Sequence, residues 1–92
     1  NIFKAERVTA TVFSHAAHGQ VHIRPFLDLT LADDQAKLQS LSDRLYEKVF
    51  EFQGVIAGEH ALGLSRSWYA RKQLGTLYPI HRRIKELFDP QN

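Results

Sequence analysis

The chain has 92 residues, 43% of them hydrophobic and 24% charged, with a formal net charge of +2 and no cysteine. It holds at most one small domain, and disulfides, thiolate-ligated clusters and thiol nucleophiles are excluded within it. The composition is that of a folded domain, the charge excess is too small for a dedicated nucleic-acid or membrane-surface binder, and no apolar run approaches the roughly 20 residues that span a bilayer.

The first residues do not read as a signal peptide, so a cytoplasmic location is expected. The chain begins with Asn1 and contains no methionine, and it is expected to be a piece of a longer protein.

Residues 8–15 are rich in β-branched and aromatic types and predict a strand. His18-Gly19 marks a turn, and residues 21–27 resume the strand pattern, giving a hairpin. Pro25, with no N–H to donate, suggests an edge or the end of pairing. Thr30-Leu31-Ala32-Asp33 resembles a capping box. Leu38, Leu41, Leu45, Val49 and Phe52 then recur at helical spacing, and Gly54 is placed to stop the helix. Residues 55–57 predict a short third strand, residues 67–74 a helix closed by Gly75, and the region from Thr76 a last helix with Pro79 in its first turn. Ile80, Ile84 and Leu87 of that helix are expected to face inward, and Trp68, Tyr69, Phe50 and Phe52 to be core. The order implies an α+β fold with an antiparallel sheet and helices on one face.

Five histidines occur, at positions 15, 18, 22, 60 and 81. His15 and His22 flank the hairpin turn, where both imidazoles can face one point. Adding Glu59 gives two nitrogens and one carboxylate oxygen, a ligand set that suits a catalytic divalent metal with an open position. From the residues alone, two histidines at a hairpin are more often surface or satisfied polar groups than metal ligands. His18 reads as a turn residue and His81 as an exposed helix position. Arg24 lies on the strand face of His22, where a guanidinium binds a carboxylate in two-pronged fashion or pairs with Asp28. Arg82, Arg83 and Lys85 form a small basic face without an aromatic platform beside it, a weak basis for nucleic-acid binding.

Ser14-His15-Ala16-Ala17-His18-Gly19-Gln20-Val21-His22 resembles the Gly-His-x-Gly-Asp-Gly-Asn-x-His stretch of the FAD-linked oxidase C-terminal domain. That family contains glycolate oxidase, D-lactate dehydrogenase and D-2-hydroxyglutarate dehydrogenase. The run from Gly54 to Gly63 is similar to its Gly-Thr-x-Ser-Gly-Glu-His-Gly-x-Gly block, and the run from His81 to Pro90 resembles the stretch that leads into Asn-Pro-Gly-Lys. The run from Val21 to Asp28 further resembles long members that fuse a flavin dehydrogenase to an iron–sulfur segment.

The resemblance implies that residues 1–92 are a single fragment of that C-terminal domain, half of a ferredoxin-like cap. It implies a divalent metal, zinc or manganese-like, held by His15, His22 and Glu59. His60 falls on the base that takes the substrate's hydroxyl proton, and Arg24 replaces an asparagine that contacts substrate in some members. The resemblance further implies a 2-hydroxy acid substrate oxidised to a 2-oxo acid with hydride passing to FAD, a flavin bound mainly by a separate domain of the same polypeptide, and an iron–sulfur cluster expected in sequence outside this chain. The fragment alone is expected to be inactive.

The chain departs from the motif at several positions. His18 stands for Asp, Gln20 for Asn, and Ser14, Ala17 and Ala61 for glycines. A positive φ at Ala61 would bring strain. An alternative function is a non-catalytic assembly module whose histidines are relics and which self-associates, as a homo-oligomer, through unpaired strand edges.

Overall fold

The computed structural model describes residues 2–92. They fall into two compact units, Asn1–Gly54 and Val55–Asn92. The fold is α+β: one two-stranded antiparallel sheet, with helices making up most of the remainder.

In the first unit, β1 (Ala10–His15) and β2 (Gln20–Pro25) pair antiparallel, from Ala10 opposite Pro25 to His15 opposite Gln20. Residues 16–18 form one 3-10 turn, and Gly19 closes it at φ 65°, a left-handed conformation that suits glycine. Pro25 ends β2 as its missing N–H requires, and the next residue, Phe26, donates to the Thr9 carbonyl at 2.9 Å.

The long helix α2 (Ala32–Glu51) follows the apolar period. Leu41 is buried at 1% exposure, Leu45 and Val49 are half-buried, and Phe52 is 84% exposed, so Phe52 is not core. Phe52 is the C-cap residue, one position past the last helical residue. The helix entry also differs from the capping box. Leu31 is the cap, and its hydrocarbon side chain has no atom to bond the helix N–H groups; the Thr30 hydroxyl and N–H both donate to Asp28 Oδ1 instead, at 2.7 and 3.0 Å. That local turn competes with the cap for the same donor. Asp34, in the first turn, reaches back to accept the Asp28 N–H at 2.9 Å.

The exit of α2 is a Schellman arrangement. The Gly54 N–H donates to the Val49 carbonyl at 2.8 Å and the Gln53 N–H to the Phe50 carbonyl at 2.9 Å. The left-handed residue is Gln53, at φ 57°, rather than Gly54. A short helix, α1 (Ile2–Ala5), precedes the sheet and packs on α2.

In the second unit, residues 55–63 carry no strand. The Ile56 N–H donates to the side chain of Gln73 at 2.9 Å, so a helix side chain takes the donor that a sheet ladder would use. The predicted helix over 67–74 is a 3-10 segment, Leu64–Tyr69, that runs into α3 (Ala70–Leu74). Gly75 turns the chain at φ 51°. After a further 3-10 turn comes α4 (Tyr78–Phe88), with Pro79 in its first turn as expected. Ile80, Ile84 and Leu87 are 55%, 49% and 79% exposed and Trp68 is 67% exposed, so none of them is core. Their spacing is amphipathic, but among the described residues of this unit nothing buries that face. Two basic residues of α4 are paired along the helix: Arg82 with Glu86 at 2.9 Å and Lys85 with Asp89 at 2.6 Å.

Candidate functional site

Side chains alternate across a strand, so the pairing register decides which of them share a face. Thr11, Phe13 and His15 of β1 stand opposite Arg24, His22 and Gln20 of β2. The hairpin therefore gathers His15, His22, Phe13 and Arg24 on one face and leaves Val12, Ser14, Val21 and Ile23 on the other.

On the first face the rings are in contact. His15 meets His22 edge to face, with centroids 5.1 Å apart and planes at 79°. His22 stacks nearly parallel on Phe13, at 4.5 Å and 12°. The Arg24 guanidinium lies 5.0 Å from the Phe13 centroid, a cation–π distance. Arg24 thus rests on the aromatic ring, and the alternative pairing with Asp28 does not form: the Asp28 carboxylate accepts from Thr30 instead, which holds its pKa below the usual 3.8.

His22 is half-buried, with Nε2 shielded from solvent, and His15 is exposed. Two neighbouring imidazoles offer the nitrogen donors that zinc and manganese-like ions accept, so these residues fit the expected metal.

In the second unit, Glu59 Oε1 lies 3.3 Å from His60 Nε2, with both side chains substantially exposed. The residue after them, Ala61, has a φ of 56°. Left-handed backbone at an alanine is strained, and this is where the family motif carries glycine. His18 lies in the hairpin turn and His81 on α4, both exposed.

The whole of residues 1–92 matches the model of the FAD linked oxidases' C-terminal domain. The chain belongs to the FAD-linked oxidase family. It is 37% identical over 81 residues to a D-2-hydroxyglutarate dehydrogenase of Pseudomonas putida, covering 88% of this chain and 8% of the relative. A D-lactate dehydrogenase of Anaerostipes hadrus is 35% identical over 83 residues, covering 85% of this chain and 17% of its own length. The glycolate oxidase subunit GlcD of Bacillus subtilis is 27% identical over 86 residues, covering 92% and 18%. The chain thus spans less than a fifth of these relatives. No solved structure is significantly similar.

Within this FAD-linked oxidase chain, sequence reasoning missed Phe13 and found the residues around it. A signal was present: Phe13 sits two residues before His15, on the same strand face. Its apolar character reads as core, which masks that placement.

Proposed function

We propose that this chain is the substrate-side portion of a flavin-dependent dehydrogenase that oxidises a 2-hydroxy acid to a 2-oxo acid. The observation that carries the reading is the meeting of His15 and His22 on one hairpin face, with Arg24 beside them. Membership of the FAD-linked oxidase family supports it, as do relatives named for D-2-hydroxyglutarate and D-lactate. The rest of the polypeptide, a flavin-binding domain, is the partner that completes the site, in the cytoplasm. Among the described residues no helix is long and apolar enough to cross a membrane. Any iron–sulfur cluster of the same protein draws its ligands from outside these cysteine-free residues.

His15 and His22 supply two nitrogen ligands to a divalent cation in this reading. A cation bound there would supply electrostatic stabilisation of negative charge on the substrate's hydroxyl oxygen, and a bound flavin would supply the hydride acceptor. Arg24 binds a substrate carboxylate, and the Phe13 face beneath it limits the directions its guanidinium takes. His60 takes the hydroxyl proton. Its Nε2 lies 3.3 Å from Glu59 Oε1, so in this reading Nδ1 is the nitrogen that accepts that proton.

The test is turnover of 2-hydroxy acids by the flavin-loaded, full-length enzyme. His60→Asn is expected to lower kcat at least a hundredfold, the ordinary scale of general-base catalysis. An unchanged kcat would refute the assignment.

A second reading, an assembly module, is favoured by one observation: Val12 and Val21, on the hairpin face opposite the histidines, are 61% and 56% exposed. Concentration-dependent dimerisation together with no metal uptake would support it over the first.

A further inference from the structure

Phe13 has an environment that burial does not explain. It is 43% exposed, yet its ring contacts two of the polar side chains at the candidate site. Its register partner is His22, so the two residues are direct cross-strand neighbours. An unrestrained imidazole turns broadly about its terminal torsion, since that torsion has no sharp staggered wells. A parallel stack at 4.5 Å and 12° removes most of that freedom, because turning the imidazole out of plane would lose the ring overlap. The same Phe13 ring carries Arg24, on the diagonal, at 5.0 Å. His15 then meets the fixed His22 ring edge-on, at 79°.

We propose that Phe13 is a positioning residue: its ring sets the plane of the His22 imidazole and the seat of the Arg24 guanidinium. A cation ligand and a carboxylate anchor are thereby held on one strand face at a fixed separation. The inference rests on the reading of His22 as a metal ligand and of Arg24 as a substrate contact. It predicts that a flat aromatic ring at position 13 is required, whereas apolar bulk is not sufficient. Groups that orient a metal's histidine ligands are worth about 10–100-fold in metal affinity, which sets the size of the effect.

The experiment compares Phe13→Leu and Phe13→Tyr in the full-length flavoprotein. Stripped protein is titrated with Mn²⁺ or Zn²⁺, and KM and kcat for a 2-hydroxy acid are measured on the reloaded enzyme. Phe13→Leu, which retains apolar bulk, is expected to weaken cation affinity roughly tenfold and to raise KM, with kcat largely kept at saturating metal and substrate. Phe13→Tyr, which restores the ring, is expected to recover both. A Phe13→Leu protein with wild-type affinity and KM would overturn the proposal, and so would a Phe13→Tyr protein as defective as Phe13→Leu. His22→Ala is titrated in parallel. If it abolishes cation binding while Phe13→Leu does not weaken it, the role of Phe13 alone fails. If His22→Ala binds the cation as wild type does, the metal reading fails and the role of Phe13 with it.

Discussion

Arg44 of α2 reaches Glu6 Oε1 at 2.6 Å, just beyond the end of α1, and Ser40 donates its hydroxyl to the same oxygen at 2.9 Å. A helix of four residues is far below the length that is stable alone. These two contacts, with its packing on α2, hold it in place.

The Ser40 hydroxyl and then the Arg44 guanidinium hold the Glu6 pKa below its ordinary 4.5. A depressed carboxylate contributes stability that is fully present above the unfolded value and lost as pH falls through the native one. The melting temperature is therefore expected to fall as the pH drops below about 4.5. Glu6→Gln should lower the melting temperature at neutral pH and flatten the acid limb. Asp28 and Asp34, also depressed, keep part of the slope. Thermal melts of both proteins from pH 7 to pH 3 check this; parallel acid limbs would contradict it.

Ala61 sits at φ 56°, where an L-residue is strained and glycine is not. Ala61→Gly is expected to stabilise the second unit by roughly 0.5–1 kcal/mol, the relief of left-handed strain less the unfolded-chain entropy that glycine adds. Denaturant unfolding measures it, and a lower midpoint for Ala61→Gly would contradict it.

The end of α2 gives a paired prediction. Gln53 occupies the left-handed position at φ 57°, so Gln53→Gly should stabilise by roughly 0.5–1 kcal/mol. A Cβ on Gly54 would come within 3.1 Å of Val49 Cγ1 and 3.2 Å of the Val49 carbonyl oxygen. That oxygen is also the acceptor of Gly54's own N–H. Gly54→Ala should therefore destabilise by about 1 kcal/mol, the lower end of overpacking costs. Opposite shifts in the unfolding midpoint are the expected pattern.

What the sequence made legible follows from where its signals are local. The apolar period from Leu38 to Val49 and the His18-Gly19 turn are complete within their own segments, and both elements form as read. The α1 helix was not legible because its anchors, Ser40 and Arg44, lie far along the chain. The third strand failed for a related reason: residues 55–57 have strand composition, but Gln73 captures the Ile56 N–H. Ile80, Ile84 and Leu87 show that helical spacing marks an apolar face without supplying the surface that covers it. At the site, strand alternation placed His15, His22 and Arg24 together. Phe13 escaped because its apolar character reads as core, although its place two residues before His15 put it on the same strand face as the rings it touches.

The central claim is that His15 and His22 form the nitrogen half of a working cation site. The most direct measurement is bound metal and 2-hydroxy-acid turnover in the same preparations of the full-length enzyme and its His22→Ala variant. Metal content and kcat/KM are expected to fall together in His22→Ala. A variant that turns over substrate at the wild-type rate with its metal gone, or that keeps its full metal content, would contradict it.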